Sequence, residues 1–129
     1  MLNSNAFSYV DVLGKAADAS WLRESALANN VANVDTPGYK RQDVEFQSVL
    51  ESELRNTKYK GLDDAVKNVA VQKLDPTIYT DYGSYSYRLD GNNVDIDTEN
   101  VEIASEQLRY QTLTSAVSRE FDRFRSVIK

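Results

Sequence analysis

Ala28-Asn29-Asn30-Val31-Ala32-Asn33-Val34-Asp35-Thr36-Pro37-Gly38-Tyr39-Lys40 is the stretch on which the fold turns. It reads as a helix end. Asn29, Asn30 and Asn33 are poor helix-interior residues, because their amides compete for nearby backbone groups. Pro37 keeps Thr36 out of the right-handed helical region and stops the helix at or before it. Gly38 supplies the positive φ that a type II turn needs at its third position. Two roles for the Asn cluster stay open. It is either an ordinary polar helix end, or a set of amides that holds the backbone of a neighbouring segment or subunit, since each amide both donates and accepts.

Upstream, Phe7, Val10, Gly14, Ala17, Trp21, Ala28 and Val31 follow spacings of three and four, with Glu24 at the one missing position. That is a heptad seam with a small-residue centre, which lets another helix approach closely. At the far end, Thr98–Lys129 contains no Gly or Pro. Ile103, Tyr110, Thr114, Val117, Phe121, Phe124 and Ile128 repeat the same spacing, with Gln107 as the polar interruption. Arg119, Arg123, Arg125 and Lys129 crowd the C-terminal turns, where cations oppose the helix dipole. A helix of about 30 residues is roughly 45 Å long at 1.5 Å per residue. A compact globule of this length has a radius of gyration of only about 14 Å. The two terminal helices are therefore expected to pair antiparallel as an elongated, coiled-coil-like unit. Glu24 and Gln107 either fix register or partner at some cost in stability, or are surface positions where the seam drifts.

Between them the pattern changes. Asp43-Val44-Glu45-Phe46 is expected to open a short helix, carried on by Val49, Leu50 and Leu54. Leu62–Asn68 fits either a further helical turn or a loop. Residues 69–90 read as β, a small hairpin in which Val69, Val71 and Ile78 flank a turn at Asp75-Pro76-Thr77 and Tyr85, Tyr87 and Leu89 alternate. Four of the eight tyrosines fall between Tyr79 and Tyr87. Asp90-Gly91-Asn92-Asn93-Val94-Asp95-Ile96-Asp97 has many carboxylates but not the calcium-loop spacing, since Gly comes second instead of sixth. It reads as a turn at Gly91-Asn92 followed by a helix start, with Asp97 as N-cap and Glu99 and Glu102 complementing the dipole. The expected fold is mainly α: residues 1–34 an N-terminal helix, 35–42 a turn, 43–93 a middle segment with a short helix and a β-hairpin, and 94–129 a C-terminal helix, all in one domain.

Composition narrows the function. The net charge is −5 and no basic stripe is present, which argues against nucleic acid. No run of 18 apolar residues occurs, so no membrane insertion is expected. The N-terminus lacks a cationic and then apolar leader, so no cleaved signal peptide is expected. With no Cys and no His, a Ser-His-Asp triad, a Cys-His pair and a histidine-ligated zinc site are excluded. No catalytic, cofactor or metal residue is assigned, and an enzyme is not expected. An apolar fraction of 41% against 27% charged is lean for a compact globule, and suits either long helices that find partners on other chains or a modest α+β domain with a large surface.

The Asn-spaced run 28–33 followed by Thr36-Pro37-Gly38-Tyr39-Lys40 resembles the N-terminal signature of the bacterial flagellar axial proteins, the rod, hook and hook-associated proteins. Asp90–Asp97, followed by a helix containing Gln107-Leu108-Arg109-Tyr110, is similar to the proximal rod members of that family. Short length fits a rod protein too. The resemblance covers both ends and leaves 43–89 outside it. It implies a structural subunit of the basal-body rod in the cell envelope, exported through the flagellar type III channel and transmitting torque from the membrane ring towards the hook. Implied partners are copies of itself, other rod proteins, membrane-ring and rod-base adaptor proteins, and the export apparatus. On this reading Asn29, Asn30 and Asn33 hold the helix end against neighbouring chains, and Pro37, Gly38 and Tyr39 turn the chain outward. Ala17, Trp21, Tyr110, Phe121 and Phe124 supply helix contacts between subunits. The competing reading is a soluble helical adaptor that binds one protein partner through the tyrosine-rich hairpin.

Overall fold

The computed structural model describes residues 5–56, 58, 61–83 and 88–128. Its elements, in order, are α1 (Asn5–Ala32), β1 (Gln42–Glu45), α2 (Gln47–Arg55), α3 (Leu62–Asn68), a 3-10 turn (Val71–Lys73), β2 (Thr77–Thr80) and α4 (Ile96–Ile128). The chain is mainly helical, and α1 and α4 pair antiparallel. Phe7 meets Phe124 with ring centroids 4.5 Å apart. Gln107 donates to Glu24 at 3.0 Å, so the two polar interruptions of the seams bond to each other. Both pairs belong to the two heptad seams, which therefore face one another in antiparallel register. At 33 residues α4 is about 50 Å long.

The seams are not the buried side of the pair. The buried line on α1 is Val12, Ala19, Ser20, Ala26, Leu27 and Asn30, and on α4 it is Glu99 and Glu106. Trp21 stays 61% exposed, and Phe7 and Phe121 49% each. The reason is the third layer: β1, α2 and α3 cover α1 on the side away from the seam. Val12, Val66, Val69 and Leu74 form a small core there, with Tyr9, Phe46, Val49, Leu50, Leu54 and Val71 packed around it. Two polar contacts, Tyr9 to Asp63 and Lys15 to Asp75, tie the same layer to α1.

The middle segment contains the short helices and an antiparallel strand pair, but the strands are drawn from further apart than a local hairpin. β1 pairs with β2 in the register Gln42↔Thr80 to Glu45↔Thr77. Asp43-Val44-Glu45 is thus strand, and the helix expected to open there opens at Gln47. Val71, expected in a strand, lies in the 3-10 turn. Tyr85 and Tyr87 lie outside the described residues. Strand preference expresses packing against neighbours more than backbone preference, so it does not name a partner. α4 starts one residue before the expected cap. Asp95, not Asp97, accepts the free N–H groups of Asp97 and Thr98, at 3.1 and 3.4 Å.

Candidate assembly site: a polar clasp and an open seam

The two distinctive stretches of sequence meet at the end of the helix pair. At the exit of α1, the N–H of Tyr39 returns to the carbonyl of Thr36 at 3.2 Å, with Pro37 and Gly38 between them and Gly38 at φ +73°. This is the type II geometry that Pro-Gly favours. The second stretch closes over it. The side-chain amide of Asn92 lies 2.9, 3.0 and 2.9 Å from the carbonyl oxygens of Asn33, Val34 and Thr36. A helix end leaves its last carbonyls without intrahelical partners, and Asn92 supplies donors to the chain leaving α1. Gly38 donates to the carbonyl of Asp90 at 2.7 Å, and the ammonium of Lys40 to that of Gly91. Gly91 has φ +77°, and a Cβ there would stand 3.9 Å from the Gly38 Cα. The side-chain oxygen of Asn93 accepts from the N–H of Arg41 at 2.7 Å, while its amide donates to the carbonyl of Asp81.

Asn30 sits inside this clasp, fully buried. Its amide donates to the carbonyl of Gln42 at 2.7 Å and to the Glu99 carboxylate at 3.0 Å. Its oxygen accepts from the N–H of Gln42 at 2.8 Å and from the Tyr39 hydroxyl at 3.1 Å. The carboxamide thus pairs with the Gln42 backbone as an adjoining strand would. Asn29 is exposed and donates to the Tyr39 hydroxyl. Asn33 donates to the carbonyl of Asn29 and accepts from Thr36. Burial raises the phenol pKa of Tyr39, and the nearby Glu99 charge adds to the rise.

Below the clasp lies a buried ion network. Arg23 bonds Asp43 at 2.7 Å, Glu102 at 2.9 Å and Glu106 at 2.7 Å. Arg41 bonds Glu99 at 2.7 Å, Asp81 at 3.0 Å and Asp43 at 3.2 Å. Ser20 adds a hydrogen bond to Glu106 at 2.7 Å. Burial alone would raise the carboxyl pKa of Asp43, but the Arg23 hydrogen bond, the Val44 N–H and the two guanidinium charges outweigh it and hold it below the usual range. Burial likewise opposes charge on Arg23 and Arg41, and their carboxylate bonds hold both above the ordinary guanidinium value. Among the described residues no buried side-chain polar atom lacks a partner. The network spends its charges on one another, and its effect is to fix α1, β1 and α4 in one geometry.

The residues singled out in the sequence therefore fall into two groups. Asn29, Asn30, Asn33, Pro37, Gly38 and Tyr39 belong to the clasp, where Pro37 and Gly38 are exposed and Tyr39 is half-buried. Ala17, Trp21, Tyr110, Phe121 and Phe124 lie along the open seam, with Trp21, Tyr110 and Phe121 exposed. Arg23, Arg41, Asn92, Glu99 and Glu106 were not singled out for these contacts. Glu99, Glu102 and Glu106 do share one helix face by spacing. Nothing local ties that face to two arginines on other elements.

A family model described as "Flagella basal body rod protein" matches residues 17–40, which hold the second half of α1 and the turn. Full-length relatives extend the match. The chain is 31% identical to the flagellar basal body rod protein FlgB of Bacillus subtilis (strain 168), over 90% of this chain and 89% of that protein. It is 33% identical to FlgB of Borrelia hermsii, over 93% and 95% respectively. It is 32% identical to FlgB of Escherichia coli (strain K12), over 83% of each.

Proposed function

We propose that this chain, which belongs to the FlgB family of flagellar basal body rod proteins, carries torque through the rod by packing its α1–α4 pair against neighbouring subunits. It is a structural subunit of the flagellar basal body rod and assembles with other rod components. The observation that carries the finer reading is the open seam: large aromatic side chains along a rigid helix pair, left half-exposed by the chain's own third layer. Monomers rarely leave such a contiguous apolar face without a partner. Trp21, Tyr110, Phe121 and Phe124, with Ala17 between them, meet helices of adjacent subunits. Asn29, Asn33, Pro37, Gly38 and Tyr39 form the surface of the turn at the clasp end. Asn30 acts from within its own chain, keeping that end stiff enough to transmit load. The reading includes passage through the flagellar export apparatus without a cleaved signal peptide, and contact with membrane-ring and rod-base adaptor proteins. It contains no catalytic step.

The test is the double substitution Trp21→Ala with Phe121→Ala. Both side chains are exposed, so the purified variant is expected to lose less than about 1 kcal/mol of stability. In cells lacking the native copy it is expected to be absent from isolated basal bodies and to leave the cells non-motile. Normal incorporation and motility would remove the seam from the assembly.

A further inference from the structure

Beside the seam, each long helix presents a second exposed stripe. On α1 it runs along the edge of the seam and shares Trp21 and Ala28 with it: Asp11, Asp18, Trp21, Ser25 and Ala28. On the far side of α4 it is Val101, Ser105, Leu108, Thr112, Ser115, Arg119 and Arg123, again at spacings of three and four. Val101 and Leu108 are 68% and 66% exposed although both lie near the well-packed clasp end.

The stripes share an axial order. Phe7 stands level with Phe124 and Glu24 with Gln107. Within about one helical turn, Trp21 is then level with Leu108, Ser25 with Ser105, and Asp11 with Arg119. Both stripes are apolar towards the clasp and charged towards the free ends, and the charges have opposite sign. Among the described residues, Asp11, Asp18 and Arg119 make no ion pair, and Arg123 reaches only Glu120 on its own helix.

We infer that the outer stripe of α1 receives the far stripe of α4 from a second copy of this chain, set beside it in the same orientation. Trp21 then covers Leu108, and Asp11 falls between the levels of Arg119 and Arg123. The contact is heterologous: each copy offers one stripe to each neighbour, so it repeats around a ring or along a helix instead of closing as a dimer. Charge disfavours the two-fold alternatives. α1 on α1 would oppose aspartate to aspartate, and α4 on α4 arginine to arginine. The inference rests on the reading of the chain as a rod subunit and adds which faces touch.

The chain has no cysteine, so an introduced pair is unambiguous. Two variants, Ser25→Cys and Ser105→Cys, are expressed together in cells lacking the native copy, and isolated basal bodies are treated with a mild oxidant. A disulfide-linked mixed dimer is expected, with none when either variant is expressed alone. Both variants present in basal bodies without a mixed dimer would overturn the pairing and leave the rod reading standing. Dimers of Ser25→Cys alone would overturn it in favour of a two-fold contact. Absence of the unsubstituted chain from basal bodies would overturn the rod reading and the pairing together. Charge exchange is the second measurement. Asp11→Arg is expected to cut incorporation at least about ten-fold. Adding Arg119→Asp and Arg123→Asp to the same chain is expected to restore it, and failure to restore would count against the pairing.

Discussion

The carboxamide of Asn30 has two donor hydrogens and two acceptor lone pairs, and all four are engaged inside the chain. Replacing Asn30 by Ala leaves both backbone groups of Gln42 unpaired in a buried site. Each such group costs about 1–3 kcal/mol, part of which relaxation recovers, so a loss of roughly 2–4 kcal/mol is expected. Asn30→Asp is expected to lose more at neutral pH, because it sets a second carboxylate against Glu99 where an N–H now points. Asn29→Ala removes two exposed hydrogen bonds, to the Tyr39 hydroxyl and from the Asn33 amide, and is expected to cost about 1 kcal/mol or less because solvent replaces both. Urea unfolding of the three variants checks the order. Equal losses for Asn29 and Asn30 would remove the clasp role from Asn30.

At the scale of elements, two arginines hold β1 and α4 on α1. Arg41→Met leaves Glu99, 1% exposed, without its cation. Removing one partner of a buried ion pair typically costs about 3–5 kcal/mol, and that loss is expected here. Arg41→Met with Glu99→Gln is expected to recover part of it, since the neutral amide needs no counter-charge. Acid reads the same network. The carboxyl pKa of Asp43 is lower folded than unfolded, so the unfolded chain takes up its proton first as pH falls. The stability Asp43 contributes is full above the ordinary carboxylate value of about 4 and is lost as pH falls through its lowered folded value. Tyr39 acts at the other extreme. Its folded pKa is raised, so its contribution is full below about pH 10 and is lost as pH climbs above that. Urea midpoints followed from neutral pH to pH 2 should fall less steeply for Asp43→Asn than for the parent chain.

The whole molecule is stiff at one end and open at the other. From Gln107 to Ile128 no side chain of α4 is buried, whereas Glu99 and Glu106 near its start are. α1 keeps Ala26, Leu27 and Asn30 buried at the clasp end. Local opening follows the density of buried contacts, so the far end of α4 opens before the clasp, while the far end of α1 is held by the core around Val12. Amide hydrogen exchange of the isolated chain is expected to be slow over residues 26–31 and 99–106 and much faster over 115–128. Uniform protection along α4 would contradict this gradient. In basal bodies the fast region is expected to become protected, since a neighbouring copy would cover the faces left open here.

The sequence by itself determined the two long helices, the antiparallel pairing of their seams, the turn at Pro37-Gly38 and the family signature. Those signals act over a few residues: heptad spacing, a forbidden φ/ψ region, a glycine with positive φ. The structure then decided between the two readings of the polar breaks, since Gln107 donates to Glu24 across the pair. Only the tertiary structure decided that the middle of the chain covers the other side of α1, leaving those seams open. It also decided that β2 takes its partner from 42–45, and that Glu99 is a buried anchor and not a surface complement to the helix dipole. Which strands pair and which carboxylates meet an arginine depends on segments brought together from distant parts of the chain. No local propensity records that, because the stabilising contact exists only once the intervening chain has closed.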